Sequence, residues 1–164
     1  MSSNFEQVDL PTRFVGRETE LRETEQLLNN ADCRLLTLVG VGGIGKTRLA
    51  IQLARHQQQI FADGAWFVNL QPLQSSRQIV SAVMDAMGVV LSGTDTPERQ
   101  LVEYLQGKET LLLLDNFEHL LDGVEILTRI IQHAPETKLL VTSREALRLP
   151  EEWLEPCLLY TSPS

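Results

Sequence analysis

The clearest chemical signal in the sequence is the run Gly40, Val41, Gly42, Gly43, Ile44, Gly45, Lys46 and Thr47. This G-x-x-x-x-G-K-T spacing belongs to a loop whose backbone N–H groups converge on a phosphate chain. Glycines permit that approach without side-chain clashes, and a helix starting within the loop adds the positive end of its dipole. The Lys46 ammonium supplies a point charge for the β- and γ-phosphates. The Thr47 hydroxyl supplies a hard oxygen for Mg²⁺. The motif carries this meaning only between a strand and a helix. Both flanks are present. Leu35 to Val39 is a short apolar run, and Leu49, Ala50, Leu53 and Ala54 share one helical face of the segment from Thr47 to about Gln59.

Two further strand ends carry polar chemistry. Leu111 to Leu114 run into Asp115 and Asn116. A carboxylate at the tip of a buried strand, downstream of a phosphate loop, is the usual holder of Mg²⁺. Many ATPases place a second acid next, to activate the attacking water. Asn116 is instead a neutral amide that positions water but is a poor proton acceptor, so slow hydrolysis is expected. Glu118 is the nearby acid that could substitute, and a surface Glu without a catalytic role is the alternative. Leu139, Leu140 and Val141 lead to Thr142, Ser143 and Arg144. A fixed cation at that strand end suits a γ-phosphate sensor, able to stabilise charge on the phosphoryl group. The alternative is an Arg that caps the next turn. No N-K-x-D segment for reading guanine occurs. Arg129, Arg144 and Arg148 come with no obvious acceptor site for a small-molecule kinase.

The elements that must position these residues alternate along the chain. Glu18 to Leu28 reads as a helix, Ala65 to Leu70 as a strand and Ser76 to Met87 as a helix. Thr96 reads as an N-cap with Pro97 at the first position of a helix reaching about Leu105. Leu111 to Asp115 is an all-Leu strand, as expected where both faces are covered. Val124, Leu127, Ile130 and Ile131 mark a helix, and Lys138 to Thr142 a strand. Parallel pairing through helical crossovers follows, so the fold class is α/β: a three-layer sandwich around a mainly parallel sheet. Ligands bind at the carboxyl ends of such strands.

Composition fits one globular domain. The 164 residues are 43% hydrophobic and 22% charged. Lys plus Arg is 14 against 22 for Asp plus Glu, a net charge of -8. That balance argues against a surface that wraps duplex nucleic acid. Apolar runs are too short to cross a bilayer, and no secretory signal is visible, so no membrane partner and a cytoplasmic location are expected. Two cysteines make neither a disulfide framework nor a metal cluster.

About twenty residues before the phosphate loop stand Phe14, Val15, Gly16, Arg17, Glu18, Thr19, Glu20 and Leu21. Val15 and Gly16 offer an apolar edge and free backbone groups suited to an adenine ring. Arg17 and Glu18 begin a helix, where Glu18 complements the dipole. With Leu10, Pro11, the loop Gly40 to Thr47, the run Leu111 to Leu121 and the run Leu139 to Leu149, the chain resembles the signal-transducing STAND P-loop ATPases of the AP-ATPase and NB-ARC type. In particular it resembles bacterial transcriptional regulators that carry this module beside a DNA-binding domain. The resemblance implies a regulatory ATP/ADP switch in which Val15 and Gly16 contact the base, with Arg17 among the nucleotide-binding residues. It implies that Gly40, Gly42, Gly43, Ile44, Gly45, Lys46 and Thr47 cradle the phosphates, that Thr47 and Asp115 serve Mg²⁺, and that Arg144 senses the γ-phosphate. It also places the sensor strand between the phosphate-loop strand and the acidic strand. Arg48 stands where many relatives carry a second Thr, and its backbone N–H still serves.

Relatives of that type continue into a helical lid, a winged-helix segment and repeats, which do not fit in 164 residues. The implied partners are adenine nucleotide and the missing C-terminal and DNA-binding parts of a parent protein, with nucleotide-dependent self-association. An AAA+-like turnover ATPase and a nucleotide-dependent scaffold without hydrolysis are the competing readings. Residues 1–12 read as a loose lead-in and 13–156 as the truncated nucleotide-binding domain. Residues 157–164, Cys157 to Ser164, resemble a translated sequencing-library adapter and are expected to be a non-native tail. The alternative is a fifth strand over Leu158 to Tyr160.

Overall fold

A computed structural model describes residues 3–5, 18–41 and 44–157. Its elements, in order, are α1 (Glu18–Asn29), β1 (Leu35–Val39), α2 (Ile44–Gln57), β2 (Ala65–Asn69), α3 (Ile79–Met87), α4 (Pro97–Gln106), β3 (Thr110–Asp115), α5 (Glu125–His133), β4 (Thr137–Ser143) and β5 (Glu152–Pro156). One short 3₁₀ turn over Ser76–Gln78 leads α3, and another over Leu121–Gly123 precedes α5. Thr96 caps α4 as expected, its hydroxyl accepting from the Arg99 N–H at 3.3 Å, with Pro97 at the first position.

The sheet order is β2-β3-β4-β1-β5, and every pair is parallel. Residues alternate cleanly between two buried faces. Leu36, Leu38, Leu111, Leu113 and Leu140 join Leu28, Leu49 and Leu53 from α1 and α2. Leu35, Leu112, Leu114, Leu139 and Val141 join Val83, Leu101, Leu105, Leu127 and Ile130 from α3, α4 and α5. Burial on both faces is why β3 could be read as continuous Leu rather than as an alternating strand. The strand with the phosphate loop (β1) neighbours the sensor strand (β4), which neighbours the acidic strand (β3), as the resemblance implied.

Two features differ from the sequence reading. A fifth strand, absent from the sequence reading, runs over Glu152–Pro156, and the alternative over Leu158 to Tyr160 lies outside the described residues. Its segment, Glu-Trp-Leu-Glu-Pro, sits at the sheet edge, half-buried, so it lacks the apolar run of an interior strand. The lead-in is fastened at its start. The Asn4 side chain donates to the Phe67 carbonyl at 2.8 Å and accepts from the Phe67 N–H at 2.7 Å. An amide side chain thus meets the backbone of Phe67 on the outer edge of β2, beside an isolated parallel bridge between Ser3 and Ala65, and Phe5 is buried behind it.

Candidate functional site

The strand order brings the carboxyl ends of β1, β4 and β3 side by side, and Lys46, Thr47, Asp115, Glu118 and the backbone of Arg144 gather there. Lys46 is buried on the first turn of α2 and its ammonium donates to the Gly40 carbonyl at 2.5 Å. The Gly40 N–H in turn donates to the Ser143 carbonyl at 3.3 Å, tying the loop to the end of β4. Val41 is exposed at the loop's outer side. Gly42, Gly43, Val15, Gly16 and Arg17 lie outside the described residues, as does the side chain of Ile44. Gly45 and Arg48 are half-buried in the helix start.

Asp115 is the centre of a hydroxyl cluster. Its Oδ1 accepts from Thr47 Oγ1 at 3.0 Å and from Thr142 Oγ1 at 2.7 Å, and its Oδ2 accepts from Asn116 Nδ2 at 3.1 Å. Burial pushes the Asp115 carboxyl above its ordinary value, opposed by the hydroxyls of Thr142 and Thr47. Because its shift is upward, the fold disfavours the ionised form. A cation at the site would relieve that cost. Burial likewise pulls Lys46 below its ordinary value, opposed first by the charge of Glu118. Glu118 is thus close enough to act electrostatically on both Lys46 and Asp115. Its Oε1 accepts from the backbone N–H of Arg144 at 3.1 Å. The Arg144 side chain is exposed at the rim.

The donor set fits Mg²⁺. Thr47 has one proton, spent on Asp115, and its remaining lone pairs are free to bind a metal. Two hard oxygens on adjacent elements are the protein share that Mg²⁺ takes beside phosphate. In this site Thr47 and Asp115 would hold the ion, which would supply charge neutralisation for the phosphates. Among the described residues no group of three or more His, Cys, Asp or Glu side chains forms a metal site.

Thr142 was legible only as a polar residue near a strand end. Its partner Asp115 lies 27 positions away, and nothing local announces the pairing. Cys157, the first residue of the expected tail, is buried, and its N–H donates to the Val39 carbonyl at 2.7 Å, extending the β5–β1 pairing by one residue. Its carbonyl oxygen fills the space beside Gly40, where a Cβ would stand 2.5 Å away. Gly40→Ala is therefore expected to destabilise the chain by about 1–3 kcal/mol through overpacking. In a chain ending at Pro156 the same substitution should cost much less. Thermal melts of the four chains read the difference; an equal cost in both backgrounds would place the clash elsewhere.

Residues 17–147 match the NB-ARC domain family. An uncharacterized protein of Mycobacterium tuberculosis is 35% identical over 158 residues, covering 92% of this chain and 39% of that protein. A protein of the same species named as an HTH-type transcriptional regulator is 36% identical over 138 residues, covering 80% of this chain and 15% of its own length. The chain thus spans well under half of either relative. Among solved structures, Cdc6p of Pyrobaculum aerophilum shares the fold with a TM-score of 0.64 at 18% identity, covering 86% of this chain and 42% of that one. A STAND protein with a tetratricopeptide repeat sensor from Pyrococcus horikoshii shares it with a TM-score of 0.62 at 17% identity, covering 93% and 24%. No helix among the described residues is long and apolar enough to cross a membrane.

Proposed function

Since the chain belongs to the NB-ARC family of P-loop ATPase-type domains, we propose that it is an adenine-nucleotide switch: it binds ATP or ADP with Mg²⁺, hydrolyses ATP slowly, and reports the γ-phosphate to the rest of a larger regulator. The observation that carries this reading is the meeting of Lys46, Thr47, Asp115, Glu118 and the backbone of Arg144 at three adjacent strand ends. Lys46 and the loop bind the phosphates, Thr47 and Asp115 hold the metal, and Arg144 senses the third phosphate. Val15 and Gly16 face the base in this reading. Names of relatives as transcriptional regulators support a regulatory setting, with DNA-binding and lid parts elsewhere in the parent protein. Nucleotide-dependent self-association and a cytoplasmic location belong to the same proposal.

A ligand moves a switch only by its differential affinity for two states. The exposed Arg144 guanidinium has a γ-phosphate to meet in ATP and nothing in ADP. Arg144→Ala is accordingly expected to weaken ATP by about tenfold, the worth of one charge-assisted hydrogen bond, and to leave ADP nearly unchanged. Isothermal titration with each nucleotide measures the ratio. Equal losses would reduce Arg144 to a turn-capping residue and remove the sensor from the proposal.

A further inference from the structure

We propose that the Thr142 hydroxyl is a positioning group: it aims the Asp115 carboxylate at the metal–nucleotide and locks it to the strand end that carries Arg144. This rests on the Mg²⁺-nucleotide reading above and adds a residue to it. Thr142 is 1% exposed at the end of β4. A hydroxyl has one proton to donate and two lone pairs to accept with. Here the proton goes to Asp115 Oδ1 at 2.7 Å, and a lone pair takes the Asn116 N–H at 2.8 Å. The backbone carbonyl of Thr142 accepts the Phe117 N–H at 2.9 Å. One residue therefore holds three successive positions, the last of β3 and the two beyond it.

The backbone at the tip is shaped for this. Asn116 has a φ of 68°, in the left-handed region that Asn tolerates better than most side chains. That turn lets consecutive N–H groups, of Asn116 and Phe117, both face Thr142, and it sends the fully buried Phe117 ring into the core. Glu118 then returns to the Arg144 N–H two residues along from Thr142. The acidic tip and the sensor tip are laced together by four bonds, two of which need the Thr142 hydroxyl. Thr47 reaches the same Asp115 oxygen from α2. Asp115 has no other partner from β4, so without Thr142 its carboxylate could rotate away from Thr47.

A buried Thr that merely satisfies itself would affect stability alone. The positioning role predicts a change in Mg²⁺ dependence instead. The full chain is titrated with ATP in EDTA and at rising Mg²⁺. Thr142→Val keeps the shape and loses the hydroxyl. It should leave metal-free ATP affinity within about twofold and raise the Mg²⁺ needed for half-maximal tightening about tenfold, one charge-assisted bond's worth. Thr142→Ser should restore it to within about twofold, since the hydroxyl is all that the role needs. If the Val chain does not fold, Thr142→Cys, with a weak thiol donor of similar size, should shift the Mg²⁺ requirement the same way. Asp115→Ala is the companion control. Loss of Mg²⁺ dependence in Asp115→Ala with none in the Thr142 variants would overturn the positioning role and spare the metal reading. No loss in either would overturn both. Equal weakening with and without Mg²⁺ would make Thr142 purely structural.

Discussion

Lys46→Ala is expected to lower the affinity for both ATP and ADP by tenfold or more. Hydrogen bonds to charged groups contribute about 1.5–3 kcal/mol each, and a phosphate-loop lysine makes more than one. The structure sharpens the reason. The ammonium is buried and already partly desolvated, which is why its pKa falls below the ordinary lysine value. It also lies against the Gly40 carbonyl at 2.5 Å, on the loop that would receive the phosphates. Much of the desolvation cost is thus met before the nucleotide arrives, and phosphate oxygens replace a single neutral carbonyl as its partner. Loss of Lys46 removes that prepared charge while leaving one carbonyl unpaired at the loop's edge, so binding should fall far more than stability. Calorimetric titration beside a thermal melt separates the two. Unchanged affinity in a folded chain would remove the phosphate-loop reading altogether.

What the sequence disclosed, and what it withheld, follow from the range over which each constraint acts. The strand of Leu111 to Asp115 and the cap at Thr96 and Pro97 depend on residues next to one another, and both stand where they were read. The edge strand Glu152–Pro156 escaped because a half-buried edge tolerates two Glu and a Pro, which locally resemble a loop. The anchoring of Asn4 on Phe67 escaped because it spans 63 positions through a side chain imitating backbone. The site divides in the same way. Lys46, Thr47 and Asp115 announce themselves by motif. That Thr142 grips Asp115 depends on β4 lying beside β3, and strand adjacency was available only through the family resemblance. The left-handed Asn116, which brings Glu118 back to Arg144, has no signature beyond being an Asn after a strand.

Glu118→Gln is expected to reduce ATP turnover by about 10²–10⁴-fold, the range that general-base assistance contributes, with little change in ATP binding. Position 116 is a weak candidate for the base, since Asn116 spends its amide on Asp115 Oδ2 at 3.1 Å. A carboxylate there would also face Asp115 at hydrogen-bond range, a like-charge contact that disfavours ionisation of the pair. Asn116→Asp should then weaken the Mg²⁺ requirement's satisfaction more than it speeds hydrolysis. Glu118 is better placed: it is half-exposed, its charge acts on both Lys46 and Asp115, and one oxygen is fixed by the Arg144 N–H while the other is available to water. Gln is the informative replacement because its carbonyl oxygen can still accept from the Arg144 N–H. The loop keeps its tie, and only the proton-accepting capacity is lost. Glu118→Ala removes the tie as well, so it should add a loss of ATP-over-ADP discrimination that Gln does not show. Phosphate release under single-turnover conditions reads the rate, and titration reads the discrimination. If Glu118→Gln hydrolyses ATP at the unaltered rate, the carboxylate is a structural brace for the sensor strand and the base must come from another group.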